Sequence, residues 1–193
     1  MVLTPTSQPP RAALATLARF APLAALLMAL AGGCAAAPRA ERVDPSLLPS
    51  HGALTVLVFY SPDCHCLTAH DARLVAIAGR YTPRGVSFLL VDSEVGADES
   101  RDAAEARRRG YPFPIVVDRG GKLAAEAHAL YATYSILVDP QGRILYEGGI
   151  DSDKQHLHDD ATPYLADAID DALAHRPVRR PEAKTLGCSL RTW

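Results

Sequence analysis

One stretch of sequence decides the fold: Leu54-Thr55-Val56-Leu57-Val58-Phe59-Tyr60-Ser61-Pro62-Asp63-Cys64-His65-Cys66. Its first seven residues are typical of a buried strand, and the three residues after Tyr60 break that strand. From Leu67 to Tyr81 apolar residues recur at helical spacing, so Cys64 and Cys66 are predicted to lie at a helix N-terminus. The helix dipole favours an anion there, which predicts a lowered pKa for the Cys64 thiol. A thiolate beside a second thiol has the chemistry of disulfide exchange.

Strands and helices alternate along the rest of the chain. Apolar runs predict strands at 86–91, 113–117, 134–138 and 143–147, and helical patterns cover 97–109, 122–130 and the stretch from 162 onward. The order β-α-β-α-β-α-β-β-α predicts an α/β domain with a mostly parallel sheet covered by helices on both faces. The last two strands form a hairpin, which adds an antiparallel strand.

Composition and motifs exclude several classes of function. The 193 residues carry a formal net charge of −2 and no basic stripe, which argues against nucleic acid as a partner. The chain has neither a G-x-G-x-x-G fingerprint nor a phosphate-binding loop motif, so no organic cofactor is expected.

The N-terminal segment predicts export. Residues 1–33 combine two arginines, no acidic residue and a short apolar run, as a secretory signal does. The run ends at Leu30-Ala31-Gly32-Gly33-Cys34, which resembles a bacterial lipobox with Cys34 as the lipidated residue. A plain secretory signal and an uncleaved anchor are the alternatives. We therefore predict a signal peptide at 1–33, a Pro-rich tether at 34–50 and a domain on the periplasmic side of a bacterial membrane, or secreted if Cys34 is not lipidated.

The domain, predicted for 51–176 with a C-terminal tail at 177–193, resembles the thioredoxin-fold redoxins (the AhpC/TSA-like and peroxiredoxin-like group). The resemblance rests on four segments: Phe59–Cys64, 114–124, 136–142 and 181–190. It implies a central mixed sheet with helices on both faces, a strand–helix insertion and a nucleophilic Cys64. Two departures stand out. The second cysteine, Cys66, makes a C-x-C motif instead of C-x-x-C, and Tyr134 replaces the cis-proline of the family, so a trans peptide is expected there.

Three cysteines and one histidine are the candidate catalytic residues. Cys64 would attack a protein disulfide, Cys66 or, as the second choice, Cys188 would resolve the mixed disulfide, and His65 would tune the pKa and exchange protons. Removing Cys34 leaves these three thiols, an odd number, in an exported setting that permits disulfides.

Other functions remain open on the sequence alone. In a peroxiredoxin-like thiol peroxidase, Cys64 would be peroxidatic and Cys188 resolving; Ser61 favours this, whereas Leu57, at a position where that group has proline, opposes it. Cysteines with His65, His70 and Asp63 would suit a soft metal, as in SCO-type copper-binding proteins of this fold. The cysteines could also simply stabilise a tethered interaction domain.

Overall fold

The computed structural model describes residues 42–48 and 53–192. Their regular elements are, in chain order, β1 (Leu54–Tyr60), α1 (His65–Tyr81), β2 (Val86–Asp92), α2 (Glu99–Arg108), β3 (Ile115–Val117), α3 (Lys122–Glu126), β4 (Ser135–Val138), β5 (Ile144–Gly148) and α4 (Tyr164–Leu173). The strands form one five-stranded sheet in the order β3-β2-β1-β4-β5. β1 pairs parallel with β2 and antiparallel with β4, so the first strand lies in the centre of a mixed sheet.

Helices cover both faces of this sheet, because side chains of the central strand alternate between two apolar clusters. Val56, Val58 and Tyr60 pack with residues of α1 and α4. Leu57 and Phe59 pack on the opposite face with residues of α3. The sheet order, the antiparallel hairpin and the inserted β3–α3 segment are those of a thioredoxin-like fold, as predicted.

The N-terminal edge of the folded part differs from the expectation. Residues 42–48 belong to the predicted tether, yet Val43 and Leu48 are buried against the second apolar cluster. Val43 N–H also donates to the Gly142 carbonyl at 2.8 Å. Part of the predicted tether is therefore packed against the domain, because Val43 and Leu48 bury their apolar side chains there. The predicted signal, 1–33, and Cys34 lie outside the described residues.

Two helices differ in length or start from the sequence expectation. α3 ends at Glu126, although the helical pattern extends to residue 130, and His128 has a positive φ of 51°. α4 begins at Tyr164 with Pro163 as the residue before it, where the sequence suggests Thr162 in that position. No helix within residues 42–48 and 53–192 is long and apolar enough to cross a bilayer.

The C-terminal residues, predicted to be a polar tail, are hydrogen-bonded to the domain. Residues 181–192, here called the C-terminal strap, run past β5 and then across the loop before β4. Glu147 N–H donates to the Pro181 carbonyl at 2.9 Å, and Ala183 N–H donates back to the Glu147 carbonyl at 3.0 Å. Further on, Leu190 N–H donates to the Leu130 carbonyl at 2.9 Å. The strap thus ends over the C-terminal edge of β1, where the cysteines lie.

Candidate active site

The first turn of α1 positions two of the three candidate thiols. Cys64 has extended backbone angles and precedes the helix, and its Sγ accepts a hydrogen bond from Leu67 N–H at 3.4 Å. Cys66 lies within the first turn. Both residues are almost completely buried, at 0% and 1% exposure. The predicted strand–helix junction is confirmed, because the break after Tyr60 ends β1 and the helix begins at His65.

The C-terminal strap brings the third thiol to the same place. Ala132 N–H donates to the Cys188 carbonyl at 2.8 Å, and the neighbouring pair Tyr131–Ser189 forms an antiparallel bridge. The Sγ atoms of Cys64, Cys66 and Cys188 all lie within 4.8 Å of one another, and all three are free thiols. Cys188 alone among them is partly exposed. The sequence identifies all three cysteines as candidates, but it does not show that their sulfur atoms lie next to one another.

Gly187 lets the strap approach this closely. A Cβ built at this residue would lie 1.7 Å from the Ala132 carbonyl oxygen and 2.7 Å from Thr133 Oγ1. No side chain larger than hydrogen fits that gap, so glycine is required for the observed contact. The strap is also anchored beyond the cysteine by Arg191, which contacts Glu94 at 3.2 Å and Asp63 at 3.5 Å.

The pKa of Cys64 moves in the direction opposite to the sequence expectation. Burial, followed by the hydrogen bond with Cys188, raises the pKa of this thiol, and the net value is about 11. The hydrogen bond from Leu67 N–H acts to lower it, as expected at a helix N-terminus, but the two other effects are larger. Burial and the neighbouring Cys188 also raise the pKa of Cys66. In this closed arrangement Cys64 and Cys66 are therefore protonated at neutral pH.

A second histidine, not the predicted one, is hydrogen-bonded to the thiol-bearing turn. His65 is exposed and makes no hydrogen bond or ion pair within the described residues. His70 is buried one turn further along α1, with Nδ1 at 2.7 Å from the Cys66 carbonyl and Nε2 at 3.1 Å from Asp151. Because a carbonyl and a carboxylate only accept, both ring nitrogens donate and His70 is an imidazolium.

The charge of His70 is maintained by its partner. Burial acts most strongly and lowers the pKa of His70, but the hydrogen bonds to Asp151 and to the Cys66 carbonyl, together with the charge of Asp151, outweigh it, and the net pKa is raised. Burial acts in turn to raise the pKa of Asp151, whereas the hydrogen bonds from His70 and Arg73 lower it. This ion pair fixes the start of α1 to the loop after β5. The sequence offers one indication of the role of His70: it follows Cys66 by four residues, so the two lie on the same face of the helix.

Arg109 is the buried arginine beside the loop that precedes Cys64. The Arg109 guanidinium is buried nearby, but its contacts go to Glu105, Asp71, Thr68 and the Pro62 carbonyl. None of these contacts goes to Cys64 within the described residues. Ser61, the residue that favours the peroxidase alternative, accepts the Cys64 N–H through its carbonyl at 3.2 Å.

The loop before β4 is reshaped, as the replacement of proline suggests. Among residues 42–48 and 53–192 there is no cis peptide bond, so Tyr134 is trans as predicted. Thr133 instead has a φ of +76°, a rare value for a β-branched residue. Its Oγ1 donates to the Leu186 carbonyl at 3.4 Å, and Tyr134 OH donates to Glu147 at 2.7 Å. The C-terminal strap therefore packs directly on this loop.

Comparisons with solved structures agree with the fold. The chain is similar to an uncharacterised conserved protein from Geobacillus kaustophilus, with 26% identity, a TM-score of 0.66, and coverage of 74% of this chain and 79% of that one. A hypothetical protein from Sinorhizobium meliloti is similar at 23% identity and TM-score 0.64, over 74% and 81% of the two chains.

A third solved structure is similar to the chain at lower identity and over a smaller part of its length. It is the thioredoxin domain of a thiol–disulfide oxidoreductase from Bacteroides vulgatus, with 16% identity, a TM-score of 0.44, and coverage of 50% of this chain and 70% of that one. No protein-family model and no curated protein matches the chain. The sheet order β3-β2-β1-β4-β5, with its parallel β1–β2 pair and antiparallel β1–β4 pair, confirms the thioredoxin-like fold predicted from the sequence.

Proposed function

We propose that this protein is a thiol–disulfide oxidoreductase tethered to the membrane of the bacterial cell envelope. The observation that carries the proposal is the meeting of three reduced thiols within 4.8 Å of one another at the N-terminus of α1. Two further thiols within reach of a nucleophilic cysteine are what a complete exchange cycle needs. The tether and the envelope location rest on the sequence of residues 1–34 alone.

The disulfide exchange can be written with Cys64 and one of its two neighbouring cysteines so that bonds, protons and electrons balance. The Cys64 thiolate attacks one sulfur of a substrate disulfide, the S–S bond breaks, and the departing sulfur takes up a proton. Cys66 or Cys188 then loses its proton and attacks Cys64 Sγ, which releases the second substrate thiol and leaves a disulfide in the protein. Two electrons pass from the cysteine pair to the substrate. An external thiol reductant must return them for the next cycle.

Opening of the C-terminal strap is the step that makes Cys64 reactive. In the closed arrangement the thiol is inaccessible, and a pKa of about 11 leaves about one thiolate in ten thousand at pH 7. Burial and Cys188 are the two largest causes that raise this pKa. Displacement of the strap would expose Cys64 and break its hydrogen bond with Cys188. The same movement would therefore make the thiol accessible and lower its pKa.

The second candidate function, peroxide reduction, has one favourable feature, the approach of Cys188 to Cys64. The absence of any Arg109 contact to Cys64 among the described residues opposes it. We therefore expect disulfide exchange to be the faster reaction.

The test compares cysteine variants of the full chain carrying Cys34→Ser. Reduction of a disulfide-linked fluorescent peptide should fall at least about 100-fold in Cys64→Ser, because the nucleophile is lost. Hydrogen peroxide consumption should stay close to that of a free thiol. Ser189→Ala, which alters an exposed strap residue beside Cys188, is the matched control and should keep full activity. Fast peroxide turnover that needs Cys64 and Cys188 but not Cys66 would contradict the proposal.

A further inference from the structure

We propose that the three thiols form a binding site for one Cu(I) ion, held as a three-sulfur complex when the protein is reduced. This use of the cysteines goes beyond disulfide exchange and does not depend on it. The site is made of Cys64 and Cys66 on α1 and Cys188 on the C-terminal strap.

The geometry needs only a small contraction to accept a metal. A metal–sulfur bond of about 2.3 Å to three coplanar sulfurs places those sulfurs roughly 4 Å apart. The three Sγ atoms lie within 4.8 Å of one another without any ion. Thiol side chains can close the remaining gap by rotation about χ1, with no movement of the sheet.

The donor set selects the kind of metal. Thiolates are soft ligands, which favour Cu(I) and Zn(II) over Mg(II), Ca(II) or Mn(II). Within the described residues only the three cysteines contribute ligand atoms to this cluster. Cys64 and Cys66 are buried, so water has little access as a fourth ligand. Zn(II) sites in proteins are almost always four-coordinate, whereas this site offers three donors, and we therefore assign Cu(I).

The candidate metal ligands named from the sequence are different from this set. Both ring nitrogens of His70 are engaged, one by the Cys66 carbonyl and one by Asp151. Asp63 and His65 are exposed, and neither contributes a ligand atom to the cluster. The site is consequently a sulfur-only one, and its third ligand comes from a residue more than one hundred positions away in the chain.

Hydrogen bonds hold each of the three ligand residues in place. Leu67 N–H points at Cys64 Sγ, His70 fixes the Cys66 carbonyl, and Ala132 N–H fixes the carbonyl of Cys188. Positive charge comes from the N-terminus of the seventeen-residue α1 and from Lys154, which acts on Cys66. Cysteine binds a metal as the thiolate, so Cu(I) binding replaces the S–H protons of the ligands and releases them to the solution.

The test is anaerobic titration of the reduced full chain carrying Cys34→Ser with Cu(I), in competition with a chromophoric Cu(I) chelator. We expect one Cu(I) per chain and the release of protons on binding. Cys188→Ser should weaken binding at least about 100-fold, since loss of a ligand exceeds the effect of losing an outer contact. The Ser189→Ala variant should bind Cu(I) with the same affinity as the Cys34→Ser chain without that substitution.

X-ray absorption of the copper-loaded Cys34→Ser chain gives a readout that does not depend on the folding of any cysteine variant. The expected spectrum has three sulfur neighbours and no nitrogen or oxygen neighbour. Nitrogen or oxygen ligands, a stoichiometry other than one, equal affinity in Cys188→Ser, or tighter binding of Zn(II) than of Cu(I) would each overturn the proposal. No disulfide substrate is present in these experiments, so they can fail while disulfide exchange succeeds, and the reverse.

Discussion

At the scale of single residues, Cys64 shows how two opposing effects set the reactivity of one thiol. Its position at a helix N-terminus is readable from sequence, and that position does lower the pKa through Leu67 N–H. Its burial is not readable in the same way, because the covering residue, Cys188, comes from the other end of the domain. The larger effect is therefore the one that sequence reasoning could not weigh.

The first prediction concerns this pKa. In the Cys34→Ser chain, alkylation of Cys64 measured against pH by peptide-resolved mass spectrometry should give a midpoint near 11, above the ordinary value of 9.0. Cys188→Ser should lower that midpoint, since the hydrogen bond that raises the pKa of Cys64 is weakened. A midpoint at or below the ordinary value with the strap intact would show that Cys64 is not buried as described.

The second prediction concerns the buried pair of His70 and Asp151. His70→Ala removes one donor from the Cys66 carbonyl and the buried cationic partner of Asp151, which should lower the free energy of unfolding by about 3 kcal/mol. The raised pKa of His70 contributes stability below 6.5 that is lost as pH rises through the folded value. The lowered pKa of Asp151 contributes stability above 3.8 that is lost as pH falls.

Urea unfolding between pH 3 and pH 9 measures both effects. The difference in unfolding free energy between the starting protein and His70→Ala should be largest between 3.8 and 6.5 and smaller on either side. His65→Ala, at the exposed first residue of the same helix, is the matched control and should change stability little. A pH-independent difference would mean that His70 is not the charged partner of Asp151.

At the scale of elements, the sequence predicts most strands and helices but not the C-terminal strap. Apolar periodicity locates β1, β2, β4, β5 and α1, because burial of these elements imposes a regular pattern. The strap is largely polar and begins at Pro181, so it has no apolar periodicity that would predict its position. Its position depends on individual backbone hydrogen bonds and on the absence of a side chain at Gly187, which are contacts distant in sequence.

The third prediction tests the closure of the strap. Gly187→Ala places a Cβ where the Ala132 carbonyl oxygen lies, so the strap must move away from the loop before β4. Alkylation of Cys64 at pH 7 should then become faster by at least about 10-fold, because a fall of one unit in its pKa alone has that effect. Ser189→Ala should leave the rate unchanged. Equal rates in Gly187→Ala and the starting protein would show that the strap does not control access to Cys64.

At the scale of the whole molecule, the proposed tether connects the redox site to a membrane surface. The fourth prediction is that the protein fractionates with membranes and that Cys34→Ser releases it or leaves the precursor unprocessed, because the lipid-bearing thiol is lost. Fractionation followed by intact-mass measurement checks this. Identical fractionation and mass for Cys34→Ser and the natural sequence would refute lipidation.

The central claim is that Cys64 forms a mixed disulfide that a neighbouring thiol resolves, and trapping measures this most directly. In the full chain carrying Cys34→Ser, Cys66→Ser and Cys188→Ser, Cys64 is the one remaining cysteine. Mixed with a disulfide peptide, this variant should accumulate a stable adduct on Cys64, visible as added peptide mass, whereas the variant with only Cys34→Ser should release the peptide. The account would be contradicted if no adduct formed on Cys64, or if the adduct were released equally fast without Cys66 and Cys188.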